Sequence, residues 1–331
     1  MTNRKFVACL VLATLAHGVQ AQTNADASAT SCRIVAEAKL PMREFHGHFI
    51  TTVSINNQPV PMMIDTGASH TVLSPRFADM AGLAQDMNQS VHNSGIGGRT
   101  ASQHPRVVHS IKFGPIALQD YDLPTGNIVP ADQEADPTSP VGLLGTDLLA
   151  KYDVELDFPN RRMTLYSISS CEGHFVPWTG EYQAFQPTRT DKNLLVIPIV
   201  LNGHTMRATI DTGSNRTSVT REATLDAGVD ATALDQDPAS LMTGANGVNV
   251  HTHRFDTMTV DRTTFRNASV LVQDAELPPY MDMLLGMDFL HWRKLWISYA
   301  TTQVFMQAPP NQAPRGDSTA VQASKKLSAL P

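Results

Sequence analysis

Met62-Met63-Ile64-Asp65-Thr66-Gly67-Ala68-Ser69 and Ala208-Thr209-Ile210-Asp211-Thr212-Gly213-Ser214-Asn215 decide how this chain is read. Each places Asp-Thr-Gly at the end of an apolar run, and each has a Leu-Leu-Gly downstream, at Leu143-Leu144-Gly145 and Leu284-Leu285-Gly286. The aspartates are 211 − 65 = 146 positions apart. At that offset Ile55-Asn56 falls on Leu201-Asn202, Thr71 on Thr217, and Ala81-Gly82-Leu83 on Ala227-Gly228-Val229. Further on the offset narrows to 286 − 145 = 141, where Leu143 to Leu149 matches Leu284 to Leu290. An offset that drifts through loops and holds in motifs marks an internal duplication.

Around the motifs the pattern is that of strands. Phe49 to Ile55 alternates, Asn56-Asn57-Gln58-Pro59 turns, and Val60 to Ile64 returns. Leu194 to Leu201, Asn202-Gly203 and Thr205 to Ile210 repeat the hairpin, and Asn-Gly between apolar runs is a strong turn signal. After each aspartate a short helix is expected. Ser74 and Thr220 serve as N-caps, Pro75 takes the first helical position, and Gly82 and Gly228 end the helices.

The chain has 331 residues, with 42% hydrophobic and 17% charged, which suits a globular protein of two ordinary domains. The net charge of −6 and scattered basic residues point away from nucleic acid. At the N-terminus Arg4 and Lys5 precede the apolar run Phe6 to Ala16, and Val19-Gln20-Ala21 offers small residues for cleavage. This reads as a signal peptide over 1–21, too short to span a bilayer, with no other segment apolar enough to do so. The mature protein is expected in the periplasm or outside the cell, and the style of the signal points to a Gram-negative bacterium.

Cys32 and Cys171 then remain, flanking the first repeat. In an oxidising compartment a disulfide is the default for such a pair, and two buried thiols are the alternative. The expected organisation is a flexible segment over 22–32, a first lobe over 33–166, a linker over 167–192 and a second lobe over 193–307. A disordered tail rich in Pro, Ala, Ser and Gln follows over 308–331.

With these motifs the chain resembles the aspartic proteases of the retropepsin and pepsin type. Each repeat resembles one retropepsin protomer, and two in one chain resemble the bilobal pepsin-like arrangement. The resemblance implies an all-β fold of two homologous lobes with a cleft between them, and one or two short helices per lobe. It implies that Asp65 and Asp211 form a catalytic dyad sharing one proton, because two adjacent carboxylates cannot both ionise. Thr66 and Thr212 would cross-brace the two loops, Gly67 and Gly213 would let the backbone approach the dyad, and the Leu-Leu-Gly segments would pack beneath.

Ser94-Gly95-Ile96-Gly97-Gly98 is similar to a retropepsin flap tip, with Thr243-Gly244-Ala245 as its counterpart. The other reading of each is a plain hairpin turn. Neither contains tyrosine, so a flap tyrosine of the pepsin kind is not expected. The implied function is an aspartic endopeptidase acting on peptides or proteins without cofactor or metal, its lobes pairing within one chain. A non-catalytic peptide- or protein-binding module on the same fold is the rival reading. His46 and His48, and His251 and His253, share a strand face in each repeat. With no accompanying cysteine or carboxylate cluster, they read as exposed strand residues rather than metal ligands.

Overall fold

The computed structural model describes residues 31–307 apart from 93, 96, 97, 100, 131 and 243–247. The signal segment, the tail and the central residues of both flap tips therefore lie outside the described residues. Among the described residues no helix is long and apolar enough to cross a membrane.

The fold is mostly β, with two repeated lobes and a few short helices. In lobe 1 the strands His48–Ile55 and Gln58–Ile64 form the expected hairpin, and in lobe 2 Leu195–Leu201 and His204–Ile210 repeat it. Both turns are tighter than the four-residue turn read at Asn56 to Pro59. Asn56 (φ 47°) and Asn57 (φ 68°) close the first, and Asn202 (φ 45°) and Gly203 (φ 88°) the second. Positive φ at both central positions suits the right-handed twist of the flanking strands. The first asparagine of each turn also caps a neighbour. Asn56 Oδ1 accepts from His109 N at 2.9 Å, and Asn202 Oδ1 accepts from Thr257 N at 3.0 Å.

The strand that carries Leu-Leu-Gly then inserts between the motif strand and the strand after it. Gly142–Leu144 runs parallel to Gln58–Ile64 and antiparallel to Val72–Leu73. Met283–Leu285 does the same between His204–Ile210 and Ser218–Thr220. Each lobe then has its short helix where the caps placed it. Pro75–Met80 starts on Ser74, whose side chain accepts from Phe77 N, and Arg221–Asp226 starts on Thr220, which accepts from Ala223 N. A one-turn helix follows each Leu-Leu-Gly, Thr146–Leu149 in lobe 1 and Met287–Leu290 in lobe 2. Lobe 2 alone adds Ala231–Gln236, capped by Asp230, which brings it to three helices among the described residues where one or two were expected.

The two repeats share a sheet. Asp153–Asp157 of the first pairs antiparallel with Lys294–Ser298 of the second, with Val154 opposite Ile297 and Glu155 opposite Trp296. Outward from this seam lie Arg162–Ser169 and Arg33–Phe45 on one side, and Gln303–Gln307 and Gln183–Phe185 on the other. The stretch 167–192 thus contributes the end of one strand and two more, Gln183–Phe185 and Thr188–Arg189. A single cluster of buried apolar side chains runs through both lobes, from Ala38 to Met306. The disulfide Cys32–Cys171 closes the first repeat where Arg33 pairs with Ser169.

Over one face of the seam the segment after Cys171 lays an aromatic layer. Tyr166 stacks on Trp296 with centroids 4.3 Å apart, and Trp178 and Phe175 meet Trp296 edge-on. Beneath it the buried Glu155 accepts from Tyr166 Oη (2.6 Å) and Trp178 Nε1 (3.2 Å) and pairs with Lys294 Nζ of the other repeat at 2.6 Å. Removing one partner of a buried ion pair leaves the other charge uncompensated. Lys294→Met is expected to cost about 3 kcal/mol in urea unfolding, and Glu155→Leu combined with Lys294→Met to cost less than the sum of the two single variants.

Candidate active site

The apolar strands Gln58–Ile64 and His204–Ile210 each end at a lobe's inner edge, and the aspartate is the first residue beyond. Asp65 N donates to Leu144 O and Asp211 N to Leu285 O, both at 3.0 Å, so each Leu-Leu-Gly strand fixes the backbone of its aspartate. Each carboxylate is then turned inward by its own loop. Asp65 Oδ1 accepts from Gly67 N (3.0 Å) and Ala68 N (2.9 Å), and Asp211 Oδ1 from Gly213 N (2.9 Å) and Ser214 N (3.0 Å).

The threonines join the two loops by four hydrogen bonds. Thr66 N donates to Thr212 Oγ1 and Thr212 N to Thr66 Oγ1, each at 3.1 Å. Thr66 Oγ1 donates to Ile210 O and Thr212 Oγ1 to Ile64 O, each at 2.7 Å. Each hydroxyl thus donates once and accepts once across the interface, and both residues are buried. The glycines are needed for space. A Cβ at Gly67 would overlap the Asp211 carboxylate, and one at Gly213 would overlap that of Asp65.

The two carboxyl groups lie close enough to act on each other's titration. Burial pushes the carboxyls of both Asp65 and Asp211 above the ordinary carboxylate range. The neighbouring charge adds to the rise at Asp65, and the loop amides oppose it at both. Such a pair holds one proton through mildly acid pH, giving an acceptor and a donor side by side.

Beneath the dyad is a layer whose roles were not read from the sequence. Asp147 Oδ1 accepts from Thr71 N (2.8 Å) and Thr71 Oγ1 (2.7 Å), and Asp288 Oδ1 from Thr217 N (2.8 Å) and Thr217 Oγ1 (2.6 Å). The same threonine hydroxyls accept from Gly145 N and Gly286 N at 3.1 Å. A Cβ at Gly145 would strike the His70 backbone, and one at Gly286 that of Arg216. The signal was present in the repeat, since Thr71 falls on Thr217 and Asp147 on Asp288 at the two motif offsets. What was missing was a reason to join positions more than 70 residues apart.

At the first flap the pairs Ser94–Arg99 and Gly95–Gly98 form a small hairpin, while Ile96 and Gly97 lie outside the described residues. A Cβ at Gly95 would meet nothing within 4 Å. In lobe 2 Ala239–Met242 pairs with Val248–Val260, and Thr243, Gly244 and Ala245 lie outside the described residues.

The histidines correct the sequence reading. Of these four only His46 is exposed. His48 and His251 each bury Nδ1 without a hydrogen-bond partner among the described residues, and His253 Nδ1 lies 2.6 Å from Asp237 Oδ2. Strand alternation does not report what a neighbouring hairpin covers, which is why exposure was misjudged. Among the described residues no group of three or more His, Cys, Asp or Glu side chains is placed to hold a metal.

Two measurements bear on this geometry. A folded-state carboxyl pKa above the unfolded one adds stability below the unfolded value, and that stability is lost as pH rises through the folded value. Asp65→Asn keeps the loop hydrogen bonds and removes one titration, so it is expected to raise stability at pH 7 by about 1–3 kcal/mol with little effect in acid. Melting temperature against pH for both proteins checks this. In a second set, Thr66→Val and Thr212→Val are each expected to cost about 1–3 kcal/mol, with the double variant costing clearly less than the sum.

Comparison with known proteins agrees with this architecture. Residues 51–148 match the family described as aspartyl protease, and residues 197–291 match the gag-polyprotein putative aspartyl protease family. No curated protein matches the chain. Among solved structures, the aspartic proteinase from Irpex lacteus is similar at 12% identity and a TM-score of 0.48, over 85% of this chain and 99% of that one. The chain has an aspartic-protease fold made of two protease-family domains.

Proposed function

We propose that this protein is an exported aspartic endopeptidase in which Asp65 and Asp211 activate water against a peptide bond. The observation that carries the reading is the pair of buried carboxyls, each packed against the glycine of the other's loop, with the two loops locked together by Thr66 and Thr212. Water is a weak nucleophile and an amide a weak electrophile. The ionised member of the pair takes a proton from water as the oxygen attacks the carbonyl carbon, while the protonated member donates to the carbonyl oxygen. The tetrahedral intermediate collapses with cleavage of the C–N bond, a proton passes to the leaving nitrogen, and the dyad returns to its singly protonated form.

Peptide binds extended across the cleft, its backbone pairing with the flap hairpin around Ser94, Gly95 and Gly98 and its partner beyond Met242. Closure of these hairpins excludes water other than the nucleophile. Export is supported by the sequence of residues 1–21 and by the Cys32–Cys171 disulfide, which suits an oxidising compartment.

A peptide-library digest of the mature protein across pH tests the reading. Cleavage is expected in the range where the dyad is singly protonated, inhibited by pepstatin. Asp65→Asn and Asp211→Asn are each expected to lower kcat by roughly 1,000-fold or more, since either loss removes the acid–base pair. No cleavage of any peptide from acid to neutral pH would instead favour a binding module.

A further inference from the structure

The tip of the lobe 1 hairpin formed by Arg33–Phe45 and His48–Ile55 reaches the aspartate loop of lobe 2. Phe45 pairs with His48, and the turn between them is His46 (φ 47°) and Gly47 (φ 85°). A Cβ at Gly47 would sit 3.4 Å from Asn215 Cβ, four residues beyond Asp211. The next residue, His48, lies near enough to the backbone of Thr212, the threonine that braces the dyad, for that backbone to act on its titration. The ring is half-buried, and its Nδ1 is buried with no hydrogen-bond partner among the described residues.

The second repeat does not copy this contact. His48 falls on Leu194, since 194 − 48 = 146, and the strand registers agree, with Ile50 opposite Met63 and Val196 opposite Thr209. Leu194 is buried in a small apolar cluster with Met281 and Leu284. The position that carries an imidazole in the first repeat therefore carries a leucine in the second, packed within its own lobe.

We propose that His48 is a positioning residue for the aspartate pair, packing from lobe 1 against the Thr212 backbone to set the second aspartate loop relative to the first. The inference rests on the catalytic reading above for its kinetic consequence, but not for its structural one. An unpartnered, buried Nδ1 fits a neutral ring and penalises a protonated one. Burial pushes the imidazole down to about 4, the nearby His46 adds to the shift, and the Thr212 backbone opposes it. The other charged groups about this hairpin are few. Arg43 and Asp136 lie near His46, Glu44 pairs with His291 at 3.9 Å on the side where His291 meets Phe49, and Asp65 and Asp211 are the carboxyls of the loops themselves. Because the folded-state value lies below the ordinary 6.5, the packed ring is at full strength above pH 6.5 and weakens as pH falls toward 4.

The experiment has an arm that needs no turnover. NMR titration of the full chain is expected to place the His48 midpoint well below 6.5. The Asp65 and Asp211 carboxyl titrations are expected to move in His48→Leu, which copies the second repeat, and to move less in His48→Gln, which keeps a polar group. A His48 midpoint near the ordinary value, or dyad titrations unchanged in both variants, would overturn the proposal. In the kinetic arm His48→Leu is expected to lower kcat on the order of 10-fold with KM little changed. His48→Gln is expected to restore most of kcat near pH 6 while losing the acid-side inflection that His48 contributes. A matched rise in KM would instead place the ring on the substrate and overturn a positioning role. If no peptide is cleaved, the proteolytic reading fails and the titrations alone decide the role of His48. If His48→Leu does not fold, His48→Gln and the wild-type titration decide.

Discussion

The reciprocal hydrogen bonding of Thr66 and Thr212 is the constraint on which the rest of the structure depends. Two carboxyl groups with burial-raised pKa values have every electrostatic reason to separate once both ionise. They stay in contact because each threonine hydroxyl donates to a carbonyl of the opposite lobe and accepts an amide from it. Those bonds lie in a buried, water-poor place, where an unmade partner is costly. The arrangement leaves room only for glycine beside each carboxylate. Asp-Thr-Gly is thus a carboxylate, a brace and a space, in the order the backbone presents them.

The brace alone could not hold two lobes. The shared sheet, the aromatic layer around Trp296 and the Glu155–Lys294 pair join the repeats at the seam. Beneath the loops, Asp147 with Thr71 and Asp288 with Thr217 tie each short helix after Leu-Leu-Gly to its own aspartate loop. The halves are nonetheless unequal. Ala68 and Ser69 face Ser214 and Asn215, and His48 faces Leu194. The dyad is made twice by one motif, while the surroundings that tune its titration are made once in each lobe.

Much of this was legible because it is local or repeated. The hairpins are written in Asn56-Asn57 and Asn202-Gly203, the helix starts in Ser74 and Thr220, and the dyad in the doubled motif. The disulfide followed from counting cysteines. Less legible were the contacts without periodicity. Strand alternation made His48 and His251 look exposed, when their neighbours across the sheet and the interface bury Nδ1 of each. The stretch 167–192 looked like a connection, since its strands are two or three residues long and find their partners elsewhere in the chain.

The sequence by itself therefore determined the duplication, the β class and the two recurring aspartates, because each is encoded by short-range pattern and by recurrence at a fixed offset, while the bracing role of the threonines was implied by family resemblance. The tertiary structure alone decided which groups meet across the lobe interface. It set the Asp153–Asp157 strand against Lys294–Ser298, Glu155 against Lys294, and His48 against Thr212. Such pairings depend on how two packed lobes are oriented, and no spacing along a single chain records that orientation.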